Sequence, residues 1–141
     1  MLVKDIDLGR VDMNELCRKG KLGAVKYFLQ KGLSVNDGAM WYAALYGLLE
    51  IVRELIAYQA PVDEGAIYVA AKYGHLEIVK ELIEYKAPVD DSAIHAAARK
   101  GHLEVVKELI KYNAPVHEYA IRAAKTEEIK ELLTEYSKVR G

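Results

Sequence analysis

The chain has 141 residues, of which 52% are hydrophobic and 29% are charged, and its formal net charge is −1. This composition excludes a disordered chain, and the near-zero charge disfavours a general attraction to nucleic acid or to a membrane surface. The length fits one domain spanning residues 1–141 with a core of its own. Cys17 is the only cysteine, so neither a disulfide within the chain nor a cysteine-based zinc site can form.

The N-terminal segment gives no indication of export. Met1 to Arg10 alternates charged and apolar residues, and it lacks the unbroken apolar run of a signal peptide. No stretch of the sequence has the apolar length that a bilayer-spanning helix needs. The single cysteine is typical of a reducing compartment. We therefore expect a cytoplasmic protein that makes no contact with a membrane.

Four glycines divide the sequence into units of equal length, since Gly20, Gly47, Gly74 and Gly101 lie 27 residues apart. The last three are followed by closely similar segments, which read LLEIVRELI, HLEIVKELI and HLEVVKELI in chain order. The prolines also share one position of this period. A fixed period of this size is typical of stacked supersecondary units. The predicted repeats are about 11–36, 37–63, 64–90 and 91–117, with a C-terminal capping repeat at 118–141.

Within each unit the pattern predicts a first helix, a turn at the glycine and a second helix. In the fourth unit, Ile94, Ala97 and Ala98 share one helical face, and Gly101 ends that helix. A second apolar stripe follows at helical spacing and ends before Pro115. No segment has the two-residue alternation of a strand. The residues predicted to cap the first helices are Asn36, Asp63, Asp90 and, with a less suitable side chain, His117.

These units resemble the ankyrin repeat. In the fourth unit, Ser92-Ala93-Ile94-His95 stands at the family's Thr-Pro-Leu-His start, and Ala97-Ala98 stands at its alanine pair. Residues 101–106 then read Gly-His-Leu-Glu-Val-Val, close to the family's Gly-His-Leu-Glu-Ile-Val. The resemblance covers about residues 11–136. It implies an all-α, right-handed solenoid of stacked helix-turn-helix repeats whose task is to bind other proteins.

Three departures from the family pattern carry structural predictions. The period is 27 residues, whereas the family period is about 33. The missing residues fall where the family forms a β-hairpin finger, so we predict short turns there, around residues 37–38, 63–64, 90–91 and 117–118. The glycine after the second helix survives only at Gly32, because Gln59, Lys86 and Asn113 replace it. The polar first and last units are predicted to act as caps.

The first helices are predicted to carry two different faces. Alanine pairs such as Ala43-Ala44 would let neighbouring repeats approach closely, while the opposite face runs from aromatic to basic along the chain. We predict that this opposite face is a concave recognition surface, since Trp, Tyr and Arg are frequent binding hot spots. The predicted partner-binding residues are Trp41, Tyr42, Leu45, Tyr46, Tyr68, Lys72, Tyr73, His95, Arg99, Lys100 and Arg122.

A packing role competes with this interpretation. The resemblance assigns four of these residues to the position of a family histidine that usually has a structural role, and for them packing is the favoured interpretation. Those four are Trp41, Tyr68, His95 and Arg122. Three further tyrosines share one position at the end of the second helices and are predicted to form a structural ladder. They are Tyr58, Tyr85 and Tyr112.

Taken together, these features predict a non-catalytic module that binds an unidentified protein partner as a monomer, with no cofactor and no metal. The sequence contains no phosphate-cradling glycine loop, no His-Glu-x-x-His pattern and no pair of cysteines. Two alternatives stay open. The aromatic and basic face could bind nucleic acid or another polyanion, which the near-zero net charge opposes. The near-identity of the two central repeats also permits a structural or engineered scaffold without a partner.

Overall fold

The computed structural model describes residues 8–140, so Gly141 and residues 1–7 of the predicted N-terminal segment lie outside the described residues. In this part of the chain a 3-10 turn at Leu8–Arg10 precedes ten α-helices. The helices are α1 (Met13–Arg18), α2 (Leu22–Gln30), α3 (Asp37–Leu45), α4 (Leu49–Ala57), α5 (Glu64–Lys72), α6 (Leu76–Glu84), α7 (Asp91–Lys100), α8 (Leu103–Lys111), α9 (Glu118–Ala123) and α10 (Glu127–Arg140).

The helices form consecutive pairs that stack into an all-α solenoid. The first helices α1, α3, α5, α7 and α9 form one layer, and the second helices form the other. Neighbouring first helices contact each other more closely than neighbouring second helices do, which places the first helices on the inner side of the curvature. No strand occurs between residues 8 and 140, so the predicted absence of β-hairpin fingers is confirmed.

The core contains small residues on the first helices and larger, mostly branched residues between the two layers. Alanines on the first helices are fully buried and allow the close approach of neighbouring repeats, while larger aliphatic side chains fill the space between the layers. The buried alanine pairs are Ala43-Ala44, Ala70-Ala71 and Ala97-Ala98. The larger fully buried residues of the central repeats are Met40, Val52, Leu55, Ile67, Val79, Leu82, Ile94, Val106 and Leu109.

The turns between repeats are short because an N-cap side chain starts each first helix at once. The side-chain oxygens of Asn36, Asp63 and Asp90 each accept a hydrogen bond of 2.9 Å from the backbone N–H two residues later. His117 caps α9 less tightly, with 3.4 Å between its Nδ1 and the Tyr119 nitrogen. These four caps occupy the predicted positions, and they satisfy backbone donors that the helix itself leaves unpaired.

The turn inside each repeat combines a glycine with a side chain from the following repeat. Gly74 has a φ of 74°, in the left-handed region that glycine tolerates best. A Cβ added there would lie 2.8 Å from Cε1 of His102, so the imidazole occupies the space a side chain would need. Nε2 of His102 hydrogen-bonds the Lys72 carbonyl at 3.0 Å, near the C-terminus of α5. His75 bonds the Leu45 carbonyl in the same way, at 3.2 Å. These two histidines therefore link successive repeats.

The second helices end in the same left-handed turn, although the glycine is lost. Gln59, Lys86 and Asn113 have φ values of 56°, 63° and 65°. The Lys86 nitrogen donates to the Ile83 carbonyl at 2.9 Å, and the next nitrogen closes the turn to the Leu82 carbonyl, also at 2.9 Å. This pattern is a Schellman motif, in which glycine is the usual left-handed residue. The backbone of these three residues is therefore strained, because residues other than glycine disfavour the left-handed region.

No helix in residues 8–140 is both long and apolar enough to cross a bilayer.

The C-terminal helix α10 packs against α8 and α9. The Tyr136 hydroxyl donates to the Ala114 carbonyl. Among the three tyrosines predicted to form a ladder, Tyr85 makes the equivalent bond, at 2.8 Å to the Ala60 carbonyl. The rings of Tyr58 and Tyr112 are instead 45% and 41% exposed.

Candidate functional site

The predicted site residues lie on the side of the first helices that is turned away from the buried alanines. We call this surface the first-helix face. Tyr46 and Tyr73 are its most exposed aromatic residues, at 51% and 49%. Arg99, Lys100 and Arg122 are also exposed. The other predicted residues are partly buried, and they are Trp41, Tyr42, Leu45, Tyr68, Lys72 and His95.

The two ends of the first helices give this face an acidic edge and a basic edge. Carboxylates occupy the first turn of each helix from α3 to α9, and cations occupy the last turn of α5, α7 and α9. Both placements favour the helix, because they complement its dipole. The acidic edge consists of Asp37, Asp63, Glu64, Asp90, Asp91 and Glu118. The basic edge consists of Lys72, Arg99, Lys100 and Arg122.

An open cleft of about 510 Å³ lies at the acidic edge, between the beginnings of α5 and α7. Three predicted site residues, Trp41, Tyr68 and His95, line it together with Gly65 and Ser92. The acidic residues Asp63 and Glu64 complete its lining. We call this feature the acidic cleft.

Trp41 reaches the acidic cleft because the next repeat has no side chain in its way. A Cβ added to Gly65 would lie 3.0 Å from Cδ1 of Trp41. The Trp41 ring also meets the Tyr42 ring edge to face, with 5.1 Å between the ring centroids. The indole is therefore held between its own helix and α5, with part of its surface open to the cleft.

His95 forms the opposite wall and is held by the last repeat. Its ring meets the Tyr119 ring edge to face at 4.7 Å, and the Tyr119 hydroxyl donates to Asp91 Oδ2 at 3.0 Å. Burial lowers the pKa of His95, and the nearby Arg99 lowers it further, against a smaller opposite effect of Asp91. The imidazole is therefore neutral near pH 7. Its Nδ1 is buried without a hydrogen-bond partner in the described part of the chain.

Towards the basic edge, Lys72 links two tyrosines. Its ammonium nitrogen lies 5.9 Å from the centroid of the Tyr68 ring and 5.5 Å from that of the Tyr73 ring. These distances are those of cation–π contacts, which at an exposed site contribute about 0.5–1 kcal/mol each. Lys72 therefore contacts the Tyr73 ring while Tyr73 stays 49% exposed.

Asp63 was identified from the sequence as a helix cap, but four other residues that shape the acidic cleft were missed, namely Glu64, Gly65, Ser92 and Tyr119. A signal for them exists, because Gly38, Gly65, Ser92 and Tyr119 share one position of the 27-residue period. The two glycines of this set lie against a larger side chain from the preceding repeat, Gly38 against Asn14 and Gly65 against Trp41.

Two groups with potential reactivity, the Ser92 hydroxyl and the Cys17 thiol, are restrained by their surroundings. The Ser92 hydroxyl donates to the Asp90 carboxylate and makes no hydrogen bond to His95, so the two do not form a nucleophile–base pair. Cys17 is fully buried in α1, and burial raises the pKa of its thiol to about 12. Between residues 8 and 140, no group of three or more His, Cys, Asp or Glu side chains is placed to hold a metal ion.

Comparison with protein-family models gives a match. A family model of ankyrin repeats, in three copies, matches residues 40–120, which is more than half of the chain. The matched region contains the whole acidic cleft and most of the basic edge. No curated protein matches the chain by sequence.

Proposed function

The chain belongs to the ankyrin repeat family, and we propose that it binds a protein partner through its first-helix face. Ankyrin repeats are generally protein–protein interaction modules, and the family is typically non-catalytic. The observation that carries the choice of face is the combination of two half-exposed tyrosines, Tyr46 and Tyr73, at 51% and 49%, with the cation Lys72 in contact with the Tyr73 ring. The two tyrosines stand at one position of successive repeats beside the basic edge.

The first-helix face has the properties of a preorganised binding surface. The helices beneath it are fixed by buried alanines, and the turns beside it are tied by His75 and His102. Lys72 restrains the Tyr73 ring before any partner arrives. Rigid aromatic side chains lose little conformational entropy on binding, and a preformed surface lowers the cost of association.

We also propose that residues 1–141 act as one domain. Each predicted repeat span contains one helix pair, from α1 and α2 in residues 11–36 to α9 and α10 in residues 118–141. A continuous core joins the pairs, so the first-helix face is presented as a single surface. A monomer and a cytoplasmic location remain predictions.

The test is a comparison of two triple variants in capture of partners from the source cell. The first is Tyr46→Ala/Tyr73→Ala/Arg99→Ala, which removes two tyrosines and one cation from the first-helix face. The matched control removes two tyrosines of similar exposure and one cation from the second helices. It is Tyr58→Ala/Tyr112→Ala/Lys107→Ala, with Tyr58 and Tyr112 at 45% and 41% exposed.

We expect the first-helix variant to lose the partner and the control to retain it, with both folded by circular dichroism. Loss of one hot-spot side chain typically costs about 2 kcal/mol or more, so three together weaken binding by at least about a thousandfold. Retention of the partner by the first-helix variant would show that the site is placed wrongly. Loss by the control alone would assign binding to the second helices.

Binding of a polyanion is a second candidate, favoured by one specific observation. The basic edge places Lys72, Arg99, Lys100 and Arg122 along one side of the first-helix face, with tyrosines beside Lys72. Cations and stacking aromatics together suit single-stranded nucleic acid. The acidic edge across the same face repels phosphate, which is why we place this candidate second. Fluorescence anisotropy with labelled oligonucleotides at low salt tests it, since phosphate contacts weaken steeply as salt rises.

A further inference from the structure

We propose that the acidic cleft binds the guanidinium group of an arginine side chain supplied by the protein partner. This inference rests on the proposed function of the first-helix face, and it assigns the chemistry of one part of the partner. The guanidinium would stack on the Trp41 ring and pair with the carboxylates of Asp63 and Glu64, which line the same cleft.

The cleft combines aromatic walls with negative charge, which is the combination that a cation requires. Trp41 and His95 provide flat rings, and Trp is the side chain that attracts cations most strongly. Tyr68 also lines the cleft, but Lys72 already lies 5.9 Å from its ring centroid. We therefore assign the stacking to Trp41. A planar guanidinium can stack on a ring and still present its N–H groups edge-on to a carboxylate, whereas an ammonium has no plane to stack.

Glu64 is available to an incoming cation because its own helix has no cation one turn away from it. In the last repeat, Glu118 holds the equivalent position and pairs with Arg122 four residues later, at 3.7 Å. Four residues after Glu64 the chain has Tyr68 instead. Neither Asp63 nor Glu64 forms an ion pair within the part of the chain that the structure describes. Asp63 uses one oxygen to accept the N–H of Gly65.

The remaining charged groups near the cleft act in both directions on a guanidinium. Burial and Arg99 lower the pKa of His95, so the imidazole is neutral near pH 7 and adds no positive charge. Asp91 accepts the hydroxyl of Tyr119, and it adds negative charge near the cleft without blocking it. Lys72 of the basic edge contacts the Tyr68 ring and Arg99 acts on His95, so these two cations oppose a guanidinium at Tyr68 and His95. This is a further reason to assign the stacking to Trp41.

Trp41 allows a direct test, because it is the only tryptophan and its fluorescence reports on the cleft alone. The probe is N-acetyl-arginine amide, with the corresponding amides of lysine and of uncharged citrulline as comparisons. A ligand of about 15 non-hydrogen atoms at about −0.3 kcal/mol per atom binds with a dissociation constant on the order of 1 mM. We expect saturable quenching of Trp41 by the arginine amide, and at least about fivefold weaker binding of the other two.

The variant Asp63→Asn/Glu64→Gln removes both carboxylates, while asparagine can still cap α5. We expect it to weaken binding of the arginine amide at least about fivefold. The matched control is Asp12→Asn/Glu127→Gln, which makes the same changes at the N-cap of α1 and at the first residue of α10, on helices that do not line the cleft. It should bind as the unmodified chain does.

Three results would overturn the inference: no saturable change in fluorescence, equal binding of the citrulline amide, or equal binding by Asp63→Asn/Glu64→Gln. Equal binding of the lysine amide would refute the choice of arginine. None of these outcomes touches the proposed function, which the Tyr46/Tyr73/Arg99 variant tests on other residues. Conversely, that variant could lose the partner while the unmodified chain shows no response to the arginine amide. The first-helix face would then remain the binding surface, and the acidic cleft would not be part of it.

Discussion

Replacing Lys86 by glycine is expected to stabilise the protein, because the chain already holds this residue in the glycine conformation. Lys86 has a φ of 63° at the end of α6, and its side chain is exposed with no hydrogen bond or ion pair in the described residues. A left-handed backbone costs an ordinary L-residue about 1–2 kcal/mol. Glycine loses about 0.5–1 kcal/mol more conformational entropy on folding, so the net gain is roughly 0.5–1 kcal/mol.

Two related substitutions make this prediction specific. Lys86→Ala removes the same side chain but keeps the conformational cost, so it should not stabilise. Asn113→Gly should gain less than Lys86→Gly, because asparagine tolerates the left-handed region better than lysine does. The φ of Asn113 is 65°, so the two positions have nearly the same backbone.

Urea denaturation of the full chain, followed by circular dichroism at 222 nm, measures these differences. Lys86→Gly should raise the urea concentration at the midpoint of unfolding. In a separate thermal melt it should raise the melting temperature by about 2–4 °C. A lower stability for Lys86→Gly, or an equal gain for Lys86→Ala, would refute the reasoning from backbone strain. An equal gain at Asn113 would refute the ranking.

Three further predictions concern the turns, the core and the C-terminal cap. Gly74→Ala should cost about 2 kcal/mol or more in urea, because its φ is 74° and its Cβ would displace His102; a neutral result would contradict this. The Cys17 thiol, whose pKa burial raises to about 12, should react with Ellman's reagent at pH 8 only when the chain unfolds. The thiol ionises at a lower pH in the unfolded chain than in the folded one, so the free energy of unfolding should fall as pH rises from about 9 to 12. Cys17→Ala should not show this fall. Tyr136→Phe should lose about 1 kcal/mol, because the Ala114 carbonyl loses its donor; unchanged stability would show that water replaces the hydroxyl.

The helices and turns of the fold were predictable because each repeat contains the same sequence pattern. Asn36, Asp63 and Asp90 begin helices as predicted, and Gly74 and Gly101 end them. The absence of fingers followed from the 27-residue period, which is shorter than the family's period by about the length of the finger. These features depend on local spacing, which a sequence displays directly.

The left-handed turns at the ends of the second helices were not predictable from residue type. The sequence shows that glycine is lost at Lys86, which suggests that the turn has changed. The structure keeps the turn, because two backbone hydrogen bonds and the burial of Ala87 behind it outweigh the strain. Tertiary packing decides between these outcomes, and a single sequence does not display it.

The acidic cleft was predicted only in part. Trp41, Tyr68 and His95 were identified as candidates, but their neighbours Gly65 and Tyr119 belong to the following repeats. These contacts join residues 24 positions apart, from Trp41 to Gly65 and from His95 to Tyr119. The offset between stacked helices sets this distance, and the 27-residue period alone does not reveal it.

Tyrosine footprinting of the complex with its partner tests the central claim most directly. Tyr46 and Tyr73 on the first-helix face are 51% and 49% exposed, while Tyr58 and Tyr112 at the ends of the second helices are 45% and 41% exposed. Hydroxyl-radical labelling with mass spectrometry should therefore modify all four to similar extents in the free protein. On binding, we expect strong protection of Tyr46 and Tyr73 with Tyr58 and Tyr112 unchanged. Protection of Tyr58 and Tyr112 alone would contradict the assignment of the first-helix face as the binding surface.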